Sequence, residues 1–463
     1  MFLNRKAELS LLENLHAEDK PKLILLYGKR RVGKTELLNE FAHMHRALYL
    51  VARQEAYEGQ LKKMSSEIAE FFDDDVLRHS PFQNYDALFI YLAQKETPVL
   101  FDEFPYLVEA NRALPSILQE YWDRYFSKKK TFLVLCGSSI AMMESLLGYK
   151  SPLYGRRTEQ ILLEPLKFRE ACEFFPQLGP EDKVLTYAVL GGTPAYLLEF
   201  DYGKPILENI RGRILKKNTF LYQDTMFVLQ QELSEPRVYY SIINSVAKGN
   251  TRLGEIMNDT GLEKSKITKY LSVLKELHII ERRVPVTEKS PESSKKGIYL
   301  LKDNYFKFWF RFVFENVEYI EQGRQEKLIG DKISPVLNNF AGFAYEEIVL
   351  EYLKSSPGFS DYIFGRWWDK EEEIDVVGLD SSQNRIIFGE VKWKALTEKE
   401  ARQTLNRLVE KSVDVKWGEN LESGEIQGGP EKKYLLVGKK VGGKKRLLED
   451  GYLVLELDDL VEN

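Results

Sequence analysis

Short unbroken apolar runs alternate along this chain with longer stretches in which apolar residues recur every three or four positions. Leu23 to Tyr27 is such a run, and a helical pattern begins at Lys34 after a polar, glycine-containing turn. Further strands are predicted over Ala47–Val51, Pro98–Phe104, Thr131–Ser139 and Gln160–Leu163. Helical stretches lie between them, through Phe72 and over Asp86–Gln94, the latter expected to turn Ala87, Leu88, Ile90 and Tyr91 inward. Strands separated by helices predict an α/β fold around a parallel sheet. Beyond Pro165 the pattern turns helical (Phe168–Phe175, Lys183–Leu190) until Gly191-Gly192-Thr193-Pro194 interrupts it. Three more helical stretches follow: Tyr239–Ala247, Leu253–Asp259 and Lys264–Leu277, the last with Ile267, Tyr270, Leu271 and Leu274 on one face. Ile279–Val284 and Gly297–Leu301 read as a pair of strands. Nearer the C-terminus, a helix over Phe340–Leu353 precedes the strands Glu373–Gly378 and Arg385–Lys394 and a helix over Thr397–Lys411. At ~150 residues per domain the chain holds about three, and the breaks divide it into residues 1–165, 166–235, 236–315 and 316–463.

Composition narrows the class. Hydrophobic residues make up 43% and charged residues 30%, a balance that supports globular cores. No apolar run approaches the ~20 residues that span a bilayer, and MFLNRKAELSLLENL lacks the features of a signal peptide. A cytoplasmic protein with no membrane partner is expected. Cys136 and Cys172 show neither a disulfide framework nor metal-ligand spacing, and are expected in cores. The net charge of −5 conceals an asymmetry: between Pro236 and Arg311, 15 Lys and Arg stand against 8 Asp and Glu. A basic segment inside an acidic chain points to a polyanionic partner.

The chemistry begins at Gly28-Lys29-Arg30-Arg31-Val32-Gly33-Lys34-Thr35, which is G-x-x-x-x-G-K-T between a predicted strand and a predicted helix. Such a loop aims successive N–H groups at phosphate, and the following helix adds its positive end. Lys34 can reach the β- and γ-phosphates of ATP and the Thr35 hydroxyl can ligate Mg2+. Expected nucleotide contacts are Gly28, Arg31, Val32, Gly33, Lys34, Thr35 and Glu36. The strand ending in Asp102-Glu103 supplies the complement: Asp102 to hold Mg2+, and Glu103 to orient and deprotonate the attacking water. Ser138, at the end of the next apolar strand, is placed to sense the γ-phosphate, in preference to Ser139. Arg156 or Arg157 could stabilise charge on the transferred phosphoryl group; an ordinary surface arginine pair is the alternative.

FLNRKAEL, YGKRRVGKT, VLFDEF, LVLCGSS, SPLYGRRT and GGTPAYLL, in that order, resemble the archaeal-type AAA ATPases of the signal-transducing P-loop NTPase group, over roughly residues 1–235. The resemblance implies an AAA-type sheet with a helical lid, Asn4 and Arg5 near the adenine, and Gly192-Thr193-Pro194 as a nucleotide-sensing element. It also implies that ATP and ADP act as a conformational switch.

The basic middle reads as helix, short helix, turn, basic helix and two-stranded wing, which resembles a winged helix-turn-helix. The third helix exposes Lys264, Ser265, Lys266, Thr268, Lys269 and Lys275, and the wing loop carries Lys289, Lys295 and Lys296. DNA is the expected partner, mainly through phosphate contacts. The alternative is a winged helix used for packing alone. The run Tyr305–Phe314 reads as a helix buried at a domain junction, although its interleaved Lys307 and Arg311 also suit base stacking.

In the C-terminal part a strand pair places Asp375 on one strand and Glu390 and Lys392, two residues apart and so on one face, on the next. Converging carboxylates suit Mg2+, and a neighbouring lysine can position water or stabilise developing charge. The order helix carboxylate, Asp375, Glu390-Val391-Lys392, helix resembles the PD-(D/E)xK nuclease superfamily, a restriction-endonuclease-like α/β fold, and the DUF234 domain that follows many archaeal-type ATPases. By that resemblance Glu346 is the helix-borne carboxylate, Asp375 and Glu390 are metal ligands, and Lys392 is catalytic. Ile374 stands where many members have proline. The expected function is an ATP-binding and ATP-hydrolysing switch that binds DNA and cleaves it with Mg2+, self-association being open. The alternative is an ATP-dependent DNA-binding regulator without nuclease activity.

Overall fold

Strand β1 (Lys22–Tyr27) is buried along its whole length, as a strand covered on both faces must be. The computed structural model describes residues 3–233, 235–417 and 429–461; Phe2, at the head of the FLNRKAEL motif, lies outside them. Strand β1 is flanked by β4 (Phe132–Gly137) and β5 (Glu159–Leu162), with β3 (Val99–Asp102) and β2 (Leu48–Val51) beyond β4. The order β2-β3-β4-β1-β5 is parallel throughout. Alternation sorts the side chains into two layers. Leu23, Leu25, Leu133 and Leu135 join one core, while Ile24, Leu26, Val134 and Cys136 join the other. These strands belong to a first compact unit made of Met1–Pro165, Thr193–Ala195 and Val228–Ser234.

One expectation within this unit is corrected. The helix is Tyr85–Leu92, capped by Asn84, and its buried residues are Tyr85, Leu88, Phe89 and Leu92. Ile90 is 44% exposed. Tyr85, Leu88, Phe89 and Leu92 form an i, i+3, i+4, i+7 stripe that packs into the core shared with Leu50 and Tyr121, and this packing selects the inward face.

The second unit comprises Leu166–Gly192, Tyr196–Phe227 and Glu235–Asn463. It contains the helices Pro236–Lys248, Leu253–Thr260 and Lys264–Glu276, then β6 (Ile280–Arg283) paired antiparallel with β7 (Ile298–Leu301). Ile267, Leu271 and Leu274 face inward from the third helix, while Lys264, Lys266, Lys269 and Lys275 are exposed. The aromatic run is buried and passes through a π-helical turn, Trp309–Val313. A mixed sheet follows in the order β12-β11-β10-β9-β8. Its strands are β8 (Ile363–Asp369), β9 (Glu372–Asp380), β10 (Arg385–Leu396), β11 (Glu431–Val441) and β12 (Leu453–Glu456). β8, β9 and β10 pair antiparallel, and β10, β11 and β12 parallel. The helix Ser334–Ser355 covers one face through Tyr345, Ile348 and Val349, packed on Val376, Ile387 and Leu435. The helix Glu398–Lys411 covers the other, placing Leu408 against Ile386 and Phe388, with a complete capping box at Thr397 and Glu400. Among the described residues, no helix is long and apolar enough to cross a membrane.

Candidate functional site

The loop after β1 folds as its glycines require. A Cβ on Gly28 would sit 2.2 Å from the Leu163 carbonyl oxygen, which leaves room for hydrogen alone. Gly33 (φ 97°) and Arg31 (φ 72°) adopt left-handed backbone, and the helix Lys34–His45 starts directly after Gly33. The Lys34 ammonium donates to the carbonyls of Gly28 (2.9 Å) and Lys29 (2.8 Å). Burial pushes its pKa below the ordinary lysine value, although Glu103 and Asp102 pull the other way. Val32 is buried, and its carbonyl accepts from Arg5 (2.8 Å), whose guanidinium also reaches the Glu164 carbonyl (2.6 Å) and Glu8 (2.9 Å). Asn4 and Arg5 are both left-handed, and the Asn4 side-chain oxygen accepts from the Arg5 N–H at 2.6 Å. Glu36 is exposed in the first turn of the helix. Pro194 Cγ lies 4.0 Å from the point where a Gly33 side chain would begin.

The Thr35 hydroxyl donates to Asp102 Oδ2 at 2.9 Å, and the Tyr49 hydroxyl donates to the same oxygen at 2.5 Å. A hydroxyl and a carboxylate in contact beside a phosphate-shaped loop are the hard oxygen donors that Mg2+ takes, so the residues present fit the ion. Glu103 is held in left-handed backbone (φ 53°) as the strand turns into the next helix. Its carboxylate accepts from the Ser138 hydroxyl (2.6 Å) and the Ser138 N–H (3.3 Å). Lys34, Thr35, Asp102, Glu103 and Ser138 therefore form one continuous cluster. Arg156 and Arg157 stand apart from it. Arg156 makes a forked pair with Asp123 (2.8 and 2.7 Å) and donates to the Pro152 carbonyl, and Arg157 donates to the Leu147 carbonyl at 2.7 Å. In this conformation the two guanidiniums tie their loop to the helices Leu114–Arg124 and Ile140–Leu147.

The second cluster sits where β9 and β10 part. Their ladder runs from Asp380 opposite Arg385 to Val376 opposite Gly389. Past it, the Val391 N–H donates to Asp375 Oδ2 at 2.8 Å, so a side chain replaces the backbone partner. Lys392 Nζ lies 2.7 Å from Glu390 Oε1 and 4.0 Å from Asp375 Oδ2. Lys411 Nζ is 3.9 Å from Glu390 Oε2. Glu346 is instead turned to Arg366, at 2.7 Å. Burial, with the nearby Asp375 charge, pushes the Glu346 carboxyl up to about 7 against the pull of Arg366. Burial and Asp375 raise Glu390 as well, against Lys392. The Glu390 Oε2 atom is buried without a hydrogen-bond partner. Crowded carboxylates with an unsatisfied oxygen fit a divalent cation. Among the described residues, however, no three His, Cys, Asp or Glu side chains already converge as a ready cation cage.

Several participants escaped the sequence reading. Arg283 on β6 grips Glu347 with both terminal nitrogens (2.7 Å each), and Arg366 reaches the same carboxylate at 2.9 Å. Two adjacent glutamates among apolar neighbours demand nearby cations, which was a usable signal; which arginines would answer was not. Tyr49 sits in the strand next to Asp102 but carries no motif. Glu232 also lies near Lys34 and Arg30, its carboxyl raised by burial although the Ala141 and Ile140 N–H groups oppose this.

Comparison with known proteins adds family context. Residues 2–200 match a family model described as an ATPase domain predominantly from Archaea. Residues 309–404 match DUF234, described as archaeal and bacterial proteins of unknown function. An uncharacterized protein of Methanocaldococcus jannaschii, MJECL04, is 33% identical over 466 residues, spanning 99% of this chain and 100% of that protein. An uncharacterized ATP-binding protein of the same organism, MJ0423, is 58% identical over 41 residues, 9% of this chain and 70% of that protein. Among solved structures, the Walker-type ATPase PABY2304 of Pyrococcus abyssi superposes with a TM-score of 0.51 at 20% identity, covering 67% of this chain and 96% of that one. That likeness concerns the fold.

Proposed function

The chain belongs to the family of its full-length relative MJECL04 and carries an archaeal ATPase domain, and from this premise we propose that it is an ATP-driven switch that acts on DNA. The reading is that it binds and hydrolyses ATP, engages DNA through a winged helix-turn-helix, and cuts it at a PD-(D/E)xK-like site. The observation that carries the ATPase half is the joined cluster of Lys34, Thr35–Asp102 and Glu103–Ser138. The N–H groups of Gly28 to Thr35 cradle the phosphates while the Lys34 ammonium exchanges the Gly28 and Lys29 carbonyls for phosphate oxygens. Mg2+ held by Thr35 and Asp102 would neutralise charge on the β- and γ-phosphates. Glu103 takes the proton of the attacking water, and Ser138 fixes the orientation of Glu103. Lys34→Ala abolishes ATP binding, whereas Glu103→Gln keeps binding and loses hydrolysis by about 100-fold or more. Equal hydrolysis by wild type and Glu103→Gln overturns the assignment.

DNA engagement rests on the exposed Lys264, Lys266, Lys269 and Lys275, and on the wing loop with Lys289 and Lys295. Lys296 is already paired with Asp369 (3.1 Å) and Glu288 (3.5 Å), so it contributes less. Cleavage rests on Asp375, Glu390 and Lys392: Mg2+ at the carboxylates would polarise the scissile phosphate, and the Lys392 ammonium stabilises its developing charge. Plasmid incubated with Mg2+ and ATP is nicked or linearised by wild type, and by neither Asp375→Ala nor Lys392→Ala. Intact plasmid in every reaction, with DNA binding retained, overturns the nuclease half. A DNA-binding regulator that cuts nothing is then the reading. It is favoured by the closed Lys392–Glu390 pair and by Glu346 lying against Arg366.

A further inference from the structure

In the second unit a pocket of about 170 Å³ opens between the β6–β7 pair, the helix Asn304–Phe308 and the helix Ser334–Ser355. Leu300, Phe340, Phe343 and Ala344 give it mostly apolar walls. Its charges do not balance: Arg283, Lys307, Arg311 and Arg366 line it against only Glu281 and Glu347. Both carboxylates are already engaged, Glu347 by Arg283 and Arg366, and Glu281 by Arg283 at 2.5 Å. Lys307 is left with a neutral partner, the Asn304 side-chain oxygen at 3.1 Å. Arg311 lies over the rings of Phe312 (5.6 Å) and Phe340 (6.0 Å). Burial lowers the Lys307 pKa and the charges of Arg283 and Arg366 lower it further, while Glu347 and Glu281 oppose them. These two cations stand four residues apart on the segment that enters the π-helical turn Trp309–Val313, an irregularity often kept where a helix must present side chains to a ligand.

Two cations facing an apolar pocket without a carboxylate of their own are poorly solvated, and an anion entering the pocket relieves both. An apolar cavity of about 150 Å³ accommodates benzene. We propose that this pocket binds a small organic anion, a carboxylate or phosphate carried on an apolar body about the size of one aromatic ring, with Lys307 and Arg311 holding the anionic group. The pocket shares no lining residue with the P-loop and none of Asp375, Glu390 and Lys392 line it; Arg366, which also pairs with Glu346, is the residue it has in common with the second cluster. Because Arg283 and Arg366 also hold Glu347, occupancy would bear on the helix that carries Glu346.

Calorimetric titration of the full chain with benzoate and with phenyl phosphate tests the proposal, with benzamide as the neutral isostere of benzoate. One anion per chain binds saturably, benzamide binds about tenfold more weakly or worse, and Lys307→Met or Arg311→Met weakens the anion by about tenfold. Ala344→Leu, which keeps both cations and fills the space, also weakens it; Lys34→Ala, which disables the P-loop, leaves it unchanged. The proposal fails if neither anion binds saturably, if benzamide matches benzoate, if binding survives both charge substitutions, or if Lys34→Ala removes it.

Discussion

Replacing Arg283 by methionine is the sharpest test of how the second unit is held together. The guanidinium makes two 2.7 Å hydrogen bonds to Glu347 and a further ion pair with Glu281. Burial alone would raise the Glu347 carboxyl, yet Arg283 and Arg366 hold it down at about 2, against a reference of 4.5. Holding the carboxyl at about 2 instead of 4.5 corresponds to roughly 3 kcal/mol of differential stabilisation of the ionised form. Two features discount that figure. Both side chains remain a little over a quarter exposed, and Arg366 keeps its 2.9 Å contact with Glu347 after Arg283 is gone. The expected loss for Arg283→Met is therefore about 2 kcal/mol, between an exposed pair and a fully buried one. Urea unfolding followed by tryptophan fluorescence measures it, since Trp122 alone of the six tryptophans lies in the first unit. The sign of the pH dependence is fixed by the depressed pKa. The contribution is fully present above pH 4.5 and disappears as pH falls towards 2. Adding Glu347→Met should restore part of the loss by removing the stranded carboxylate. A loss below about 0.5 kcal/mol at pH 7, with no coupling in the double variant, would mean that the Arg283–Glu347 pair does not hold the unit together.

Three other outcomes follow from single contacts. Gly192→Ala places a Cβ 1.8 Å from the Leu166 carbonyl oxygen, so it should destabilise the second unit by about 2 kcal/mol or more, whereas Gly254→Ala meets nothing within 4 Å and should be neutral or slightly stabilising in the same urea experiment. Ser138→Ala removes the hydroxyl that holds Glu103, so kcat for ATP should fall about tenfold while KM stays the same; an unchanged kcat counts against the positioning role. Glu351 accepts the Phe168 N–H, and burial pushes its carboxyl up to about 7. A raised acid pKa stabilises the fold below the unfolded value and loses that contribution as pH rises through 7. Glu351→Gln should therefore match wild type near pH 4 but exceed it at pH 8 by about 2 kcal/mol; equal stability at pH 8 argues against it.

What was legible in the sequence was what periodicity and local motifs encode. The strand before Gly28, the helix after Gly33, the turn into Asp102-Glu103 and the β9–β10 pair all depend on neighbours within about ten residues, and each appears where the pattern places it. The phase of the Tyr85–Leu92 helix was missed because apolar residues cover almost its whole circumference, so long-range packing against the core selects which ones turn inward. Long-range pairings were not legible. Arg283 and Glu347 lie 64 residues apart, and Tyr49 and Asp102 53 apart. Nothing local marks either pair. The arginines after Tyr154 illustrate the converse: a motif suggests a catalytic task, yet Asp123 and the Leu147 carbonyl hold both side chains in the structure.

We propose that nucleotide state governs how tightly the chain holds DNA. The most direct test is the affinity of Glu103→Gln for a short DNA duplex, measured by fluorescence anisotropy with Mg2+ and either ATP or ADP. The substitution holds ATP unhydrolysed, so the two nucleotides define two fixed states. Affinities should differ by about tenfold or more between ATP and ADP, with the difference lost in Lys34→Ala. Identical affinities in ATP, ADP and no nucleotide would contradict it.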